Sequence, residues 1–309
     1  ICGSDLHYYN HGGFGTVRLK EPMILGHEVS GHVESLGEGV TGLTPGQLVA
    51  ISPSRPCGEC KYSKAGLHNH CLNMRFYGSA MPFPHIQGAF REYLVADAEQ
   101  CVPADNLSPE EAALAEPLAV VLHAAKQAGD LAGKRVLVTG CGPIGLLAVA
   151  VARMAGAVEI HATDLAEFPL TKAKELGADV VHNVGQGGEA LAALSADKGY
   201  FDAAFECSGA EIALRTAIDV LAARGKLVQL GLGGDMTVPM QALTAKEISL
   251  VGSFRFHEEF ATAIQLMQAG RLKLKSLVTQ TLTLDDAEAA FQLAGDREQA
   301  IKVQLTFGS

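Results

Sequence analysis

The stretch Arg135–Gly145, RVLVTGCGPIG, is the most informative segment for the fold of the central part of this 309-residue chain. An apolar run leads directly into a glycine cluster in which Gly140, Gly142 and Gly145 have the spacing GxGxxG. The first glycine permits a tight strand-to-helix turn, the second lets the backbone approach a diphosphate, and the third lets the helix pack close to the strand. Because free N–H groups at a helix N-terminus attract phosphate, the stretch predicts a dinucleotide-binding βα unit.

A carboxylate at the end of the next apolar run strengthens this prediction. Asp164 follows Gly145 by nineteen residues, close to the spacing at which a carboxylate binds ribose hydroxyls. It would accept hydrogen bonds from a free 2′-hydroxyl and repel a 2′-phosphate, and Glu167 rather than an arginine follows it, so we expect NAD rather than NADP. If Asp164 only caps the next helix, the preference stays open. The predicted cofactor site also includes Pro143, Ile144, Cys207, Gly231 and Ser253.

Outward from this turn, apolar β runs alternate with helical stretches from residue 118 to residue 254. The six runs are RVLVTG, VEIHATD, DVVHN, FDAAFECSG, GKLVQLGL and ISLVGSF. This rhythm is typical of a doubly wound parallel sheet, the Rossmann architecture of the α/β class.

The remaining sequence differs in character. Residues 1–117 are rich in glycine and proline, with short β runs such as EVSGHVESLG, GQLVAIS and GAFREYLV, which indicates a small irregular β domain. Residues 255–309 contain two helical stretches and a final strand, KVQLTF, which we assign to that first domain. The prediction is therefore a catalytic domain of 1–117 and 255–309 and an NAD-binding domain of 118–254.

Composition excludes several classes of protein. With 48% apolar and 19% charged residues the chain is globular, and its net charge of −10 argues against nucleic acid and anionic membranes as partners. Its longest apolar runs are too short to span a bilayer. Seven cysteines without a dense framework indicate a reducing, cytoplasmic location rather than structural disulfides. Because the chain begins at Ile1 within a motif, we expect an N-terminal segment to be missing.

Three residues of the first domain form a candidate metal site. Cys2, His27 and Glu28 offer a thiolate, an imidazole and a carboxylate, all of which Zn²⁺ accepts. Taken singly, each has an ordinary explanation as a buried thiol, a core histidine or a surface glutamate. Adjacent residues point in opposite directions on a regular strand, so His27 and Glu28 could face one ion only if the chain bends, which Gly26 makes easier.

In this order, the motifs ICGSDLHYY, ILGHEVSGHV, a cysteine lobe, EPLAV and VTGCGPIG resemble the zinc-dependent medium-chain dehydrogenases over essentially the whole chain. The similarity is greatest to the polyol branch. It implies a GroES-like β domain beside the Rossmann domain, homo-oligomers (dimers or tetramers), and one catalytic zinc held by Cys2, His27 and Glu28. Glu116 matches a carboxylate that either binds this metal or holds its water.

The resemblance also implies the chemistry. Zinc acts as a Lewis acid that makes an alcohol easier to deprotonate, and the nicotinamide accepts a hydride. Ser4 matches the residue that takes the alcohol proton and passes it through a ribose hydroxyl to His7 and solvent. A histidine suits this relay because its pKa lies near neutral pH, although His7 could also be an ordinary surface histidine.

The cysteine lobe, RPCGECKYSKAGLHNHC, departs from the family pattern. In the family four cysteines of this lobe hold a structural zinc, and Ser63 stands in place of one of them. The other three positions are matched by Cys57, Cys60 and Cys71. A neutral hydroxyl is a poor zinc ligand, so we expect a degenerate or weak site without a catalytic part, unless His68 or His70 substitutes.

The stretches MRFYGSAMPFPH and EISLVGSFRF resemble family members that act on the sugar acid L-idonate. A carboxylate substrate needs a cation, for which Arg75 and Arg255 are the candidates, although Arg75 could equally form a surface salt bridge. Tyr8 and Phe256 match positions that line the polyol pocket. We therefore expect oxidation of the C5 hydroxyl of L-idonate to 5-keto-D-gluconate. The alternatives are a sorbitol- or xylitol-type polyol dehydrogenase and an inactive nucleotide-binding relic.

Overall fold

The computed structural model describes residues 1–308 and divides into two compact units. The first unit comprises Ile1–Ala119, Phe256–Asp296 and the described residues from Ala300 onward. The second comprises Val120–Arg255 and Arg297–Gln299. Within residues 1–308, no helix combines the length and the apolar character that a membrane crossing requires.

The N-terminal part of the first unit is built from short antiparallel strands. They are β1 (Gly13–Phe14), β2 (Val17–Arg18), β3 (Val29–His32), β4 (Leu48–Ile51), β5 (Ser54–Arg55), β6 (Arg75–Phe76) and β7 (Cys101–Pro103). β3, β4 and β7 form a three-stranded sheet, whereas β1–β2 and β5–β6 form separate ribbons. This is the irregular β architecture that the glycine- and proline-rich sequence predicts.

The strand predicted for GAFREYLV, residues 88–95, is wrong. The N–H groups of Gly88 and Phe90 donate to the carbonyls of Ile24 and Leu25, but these residues form no regular strand. A Cβ on Gly88 would lie 2.2 Å from the Leu25 carbonyl oxygen, so the two segments are closer than a pleated ladder with side chains permits.

Three helices accompany these strands: α1 (Gly3–His11), α2 (Lys61–Lys64) and α3 (Pro109–Ala112). A fourth helix, α4 (Ala115–Ala128), begins in the first unit and ends in the second. α1 begins where the Asp5 carboxylate accepts a hydrogen bond from the Cys2 N–H at 2.9 Å, and it ends at Gly12, whose φ of 64° is left-handed. Ser108 caps α3, because its hydroxyl accepts from the Glu111 N–H at 3.3 Å.

The second unit contains the predicted six-stranded sheet. Its strands are β8 (Arg135–Thr139), β9 (Glu159–Asp164), β10 (Val180–Asn183), β11 (Phe201–Glu206), β12 (Leu221–Gln229) and β13 (Ser249–Gly252). All neighbours are parallel, in the order β10-β9-β8-β11-β12-β13, so the strand order reverses between β8 and β11. The doubly wound fold is therefore confirmed.

Helices connect these strands: α5 (Pro143–Met154), α6 (Glu167–Glu175), α7 (Glu189–Ala192), α8 (Glu211–Val220) and α9 (Met240–Ala245). A core cluster that includes Leu137, Phe201, Ile218 and Leu227 packs the sheet against its helices. Val136, Leu137 and Val138 on β8 are all fully buried, which explains why this strand is continuously apolar rather than alternating.

The C-terminal segment returns to the first unit with α10 (Glu259–Gln268), β14 (Val278–Thr283), α11 (Ala287–Ala294) and β15 (Lys302–Thr306). β15 corresponds to the final run KVQLTF, and it pairs in parallel with β14, a strand that the sequence analysis does not predict. A small cluster that includes Ala290, Phe291 and Val303 joins this segment to Leu25 and Phe90 of the N-terminal part.

Candidate metal centre and dinucleotide site

The first unit brings Cys2, His27 and Glu28 together. Each offers one ligand atom, and these three atoms lie within 4.8 Å of one another. Cys2 precedes α1, and His27 and Glu28 directly precede β3. Gly26 has a φ of 92°, and a Cβ there would lie 2.5 Å from the Phe90 ring, so a glycine lets the chain bend at this point. Three mixed protein ligands fit a catalytic zinc, which keeps a fourth position open.

Asp5 supports the imidazole, a role that the sequence analysis missed. Its Oδ1 lies 3.6 Å from His27 Nδ1 and accepts the Gly26 N–H at 3.0 Å. Burial alone would raise the pKa of Asp5, but the His27 imidazole lowers it well below its usual range. A carboxylate beside Nδ1 orients the ring so that Nε2 is available for a metal. The signal in the sequence was the spacing from Cys2 to Asp5, which is that of a capping box.

Lys302 is the second contact that the sequence analysis missed. Its ammonium is 2% exposed and donates to both carboxylate oxygens of Glu28, at 2.7 and 2.6 Å. Burial alone would raise the pKa of Glu28, but the Lys302 charge lowers it. Glu28 is therefore held as an anion in a fixed orientation, with lone pairs left for a cation.

Glu116 lies outside the group of three ligand atoms, in the first turn of α4. It is 6% exposed, and burial, with a further contribution from the Glu28 charge, raises its pKa to about 7. The carboxyl can therefore hold a proton near neutral pH, unlike Glu28.

Ser4, His7 and Tyr8 all lie on α1. Ser4 and His7 are three residues apart and so share a face of the helix, with Ser4 partly buried and His7 exposed. Tyr8 is buried, and its hydroxyl accepts the Ala80 N–H at 3.1 Å.

The two candidate arginines lie in different surroundings. Arg75 on β6 is exposed and faces Arg55 across the ribbon. It forms no ion pair within the described chain, so the alternative of a surface salt bridge has no partner there. Arg255 has a φ of 54° and places its guanidinium 5.0 Å from the Phe254 ring centroid. Phe256 is 0% exposed and its ring stacks on that of Phe260, so Phe256 packs in the interior of the first unit.

The cysteine lobe is preorganised. The sulfur of Cys71 lies 3.4 Å from that of Cys57 and 3.9 Å from that of Cys60, and Ser63 Oγ lies 3.4 Å from Cys60 Sγ. Hydrogen bonds from the Ser63 hydroxyl and N–H lower the pKa of Cys60 to about 6. His68, which was considered as a substitute ligand, is not in this group, because its ring packs 4.3 Å from that of His257. His70 is also outside the group and lies 6.3 Å from the Tyr62 ring.

In the second unit the glycine turn has the geometry of a phosphate cradle. Gly140 has a φ of 82°, and a Cβ on Gly145 would lie 1.7 Å from the Gly140 carbonyl oxygen. These two glycines are therefore required by the packing of the turn. A Cβ on Gly142 would meet nothing within 4 Å, so the N-terminus of α5, which begins with Pro143 and Ile144, is open to a ligand.

Asp164 ties the turn after β9 to this glycine turn. Its Oδ2 accepts the Cys141 N–H at 2.8 Å, and its Oδ1 accepts the N–H groups of Leu165 and Ala166 at 2.7 and 3.1 Å. Ala166, not Asp164, occupies the N-cap position of α6, and no side chain caps that helix. The carboxylate is therefore held at the carboxyl end of β9, which is the position that a ribose-binding group requires.

The later cofactor candidates also lie at carboxyl ends of strands. Ser253 Oγ is buried without a partner in the described chain, and Gly231 approaches Gly209 so closely that a Cβ would lie 2.1 Å from its nitrogen. Burial and the neighbouring Glu206 raise the pKa of the Cys207 thiol. The sequence analysis missed Glu206, although a glutamate within the apolar run FDAAFE is an unusual feature.

Comparison with known proteins identifies the family of this chain. Residues 1–106 match the family described as "Alcohol dehydrogenase GroES-like domain", and residues 143–269 match "Zinc-binding dehydrogenase". The chain is 47% identical to the L-idonate 5-dehydrogenase (NAD(P)(+)) of Escherichia coli strain K12 over 309 residues, which cover 99% of this chain and 89% of that protein. It is 38% identical to the sorbitol dehydrogenase of Gallus gallus, over 99% of this chain and 86% of that protein.

The crystal structure of L-idonate 5-dehydrogenase from Escherichia coli K-12 has a TM-score of 0.94 to this chain, at 47% identity, and the match covers 99% of this chain and 88% of that one. The two family matches and these full-length similarities show the family of the chain. The chain belongs to the zinc-dependent medium-chain dehydrogenases, in their polyol branch.

Proposed function

We propose that this protein oxidises the C5 hydroxyl of L-idonate to 5-keto-D-gluconate, reversibly, with NAD⁺ as the hydride acceptor. The observation that carries the proposal is the group of Cys2, His27 and Glu28, which supplies a zinc site in a chain 47% identical to an L-idonate 5-dehydrogenase. Zinc, when bound, lowers the pKa of an alcohol, and the oxidised nicotinamide takes the hydride.

The chain's own residues hold this apparatus in place. Asp5 fixes the ring of His27, and Lys302 fixes the carboxylate of Glu28 through two hydrogen bonds. Such supports orient ligands before substrate arrives, so less reorganisation is needed during the reaction. Because Glu116 lies outside the group of three ligand atoms, we assign it to hold a water beside the metal rather than to bind the metal directly.

In this proposal Ser4 Oγ accepts the proton of the substrate hydroxyl while its own hydroxyl proton passes on towards His7, which releases a proton to solvent. Their support is the position of both residues on one face of α1, with the partly buried serine leading to the exposed histidine. A His7→Gln variant tests the relay. It should slow idonate oxidation most at low pH, where proton release is least favourable, and leave the thermal stability unchanged.

The proposal includes a preference for NAD over NADP. Its support is the fixed carboxylate of Asp164, whose charge repels a 2′-phosphate. Measuring kcat/KM with NAD⁺ and with NADP⁺, for the wild type and for Asp164→Ser, tests this cofactor preference. The variant should lose most of the preference.

Arg75 is the proposed partner of the substrate carboxylate. Its guanidinium is exposed and not engaged in an ion pair within the described chain. Arg75→Ala should raise KM for L-idonate, whereas Arg55→Ala, which alters the residue opposite it on the same ribbon, should not. Equal turnover of idonate and sorbitol by the wild type would favour the alternative, a polyol dehydrogenase like the sorbitol dehydrogenase to which the chain is 38% identical.

Two further properties belong to the proposal. A cytoplasmic location is supported by the cysteines, all seven of which have free thiols. Assembly into a homo-oligomer is supported by β13, which has a partner strand on one side only in the described chain. Light scattering of the purified protein tests the assembly.

A further inference from the structure

A fully buried carboxylate without a cation stands at the carboxyl end of β11. Glu206 is 0% exposed and forms no ion pair within residues 1–308. Its Oε1 accepts from the N–H groups of Ser208 at 2.8 Å and Gly209 at 3.1 Å, from the Ser208 hydroxyl, and from Thr139 Oγ1 at 3.3 Å. Its Oε2 accepts from the Gly209 N–H at 3.1 Å and from Gln229 Nε2 at 2.5 Å.

The hydrogen-bond donors around Glu206 show which protonation state of its carboxyl the chain accommodates. Each oxygen accepts at least two N–H groups, so a proton on either oxygen would compete with donors that cannot accept in return. The orientation of the Gln229 amide is fixed, since Nε2 also donates to the Gly231 carbonyl at 2.9 Å and a flipped amide would face two acceptors. The second unit therefore contains a buried, fixed negative charge solvated only by neutral donors.

The topology of the sheet places this charge beside the cofactor. Strand order reverses between β8 and β11, and a dinucleotide binds across such a point, with its diphosphate at the first βα turn. The half with β8, β9 and β10 carries the glycine turn and Asp164. The half with β11, β12 and β13 is left for the nicotinamide nucleoside, and Glu206 ends the strand of that half which adjoins the reversal.

From this position we infer that Glu206 strengthens the binding of NAD⁺ relative to that of NADH, an inference that rests on the proposed nicotinamide cofactor. The oxidised nicotinamide ring carries a positive charge and the reduced ring does not, so a fixed anion attracts only the oxidised form. The two cofactors have the same diphosphate, so its repulsion by Glu206 cancels in the ratio of the two dissociation constants. Glu206 is thus a specificity-determining residue for the redox form of the cofactor.

The test is titration calorimetry of the zinc-loaded protein with NAD⁺ and with NADH. Glu206→Gln should raise the ratio of Kd for NAD⁺ to Kd for NADH by about threefold or more. Gln229→Leu is the matched control: it removes a neutral donor from the same carboxylate, so it should change both constants alike and leave the ratio unchanged.

A second variant keeps the test decisive if Glu206→Gln does not fold. Gln229→Lys retains Glu206 but places an ammonium against it, so it should shift the ratio in the same direction. The inference is overturned if neither charge-altering variant shifts the ratio, or if Gln229→Leu shifts it as much. Failure of idonate turnover alone would remove the proposed substrate and not this inference, whereas a wild type that binds neither cofactor would overturn both.

Discussion

Lys302→Met should strongly destabilise the first unit, because it removes the cation from a buried ion pair. The Glu28 and Lys302 side chains are 6% and 2% exposed and lie 2.6 Å apart at their closest. Removing one partner of a buried pair costs about 3–5 kcal/mol of unfolding free energy, since the other charge stays buried without compensation. A large part of the whole stability of a typical domain would be lost.

Urea unfolding of the zinc-free protein measures this change. Lys172→Met is the control, because the Lys172–Glu175 pair lies on an exposed helix surface and should contribute at most about 1 kcal/mol. The double variant Lys302→Met/Glu28→Gln should recover part of the loss, since no uncompensated charge remains. A Lys302→Met protein within about 0.5 kcal/mol of the wild type would refute the reasoning, because only surface substitutions have effects that small.

The cysteine lobe, the glycine turn and a partly buried histidine pair each give a further prediction. Ser63→Cys would supply a fourth thiolate where Oγ already lies 3.4 Å from Cys60 Sγ, so native mass spectrometry should show one more zinc per chain; an unchanged count would contradict this. Gly145→Ala should lower the melting temperature, because its Cβ would lie 1.7 Å from the Gly140 carbonyl oxygen. Gly142→Ala should leave stability unchanged and weaken NAD⁺ binding, because a Cβ there meets nothing within 4 Å. The opposite pattern would be inconsistent with a phosphate site at the glycine turn. Burial and the adjacent His161 lower the pKa of His182 below its ordinary value of 6.5, so the folded state binds fewer protons than the unfolded chain. The unfolding free energy should therefore fall as the pH drops below 6.5. His182→Gln should reduce this pH dependence between about pH 8 and pH 5, and an identical slope would exclude His182 as its source.

Local sequence patterns predicted the second unit well. Each of its six strands overlaps one of the six predicted runs, and the glycine turn is defined by three residues within one βα connection. Strand periodicity and the glycine requirement of a turn depend on neighbouring residues only, so they can be inferred without knowing the tertiary contacts of the chain. Residues 88–95 were predicted wrongly because their alternating pattern resembles a strand, whereas the close approach of Gly88 to Leu25 determines their conformation.

The supports of the metal centre could not be predicted in the same way. Glu28 and Lys302 are 274 residues apart, and no local pattern connects them. Lys302 begins an apolar strand, which is unusual for a lysine, but its partner depends on how the C-terminal segment returns to the first unit. Glu206 was missed for a related reason, because its donors come from the ends of three different strands.

We propose that Cys2, His27 and Glu28 hold the working metal, and an anomalous difference map recorded at the zinc absorption edge, from crystals grown with NAD⁺, would locate that metal. We expect a peak within about 2.0–2.3 Å of a donor atom from each of these three residues. A zinc peak bound by other residues, or a map without a peak between these three, would rule out this metal site.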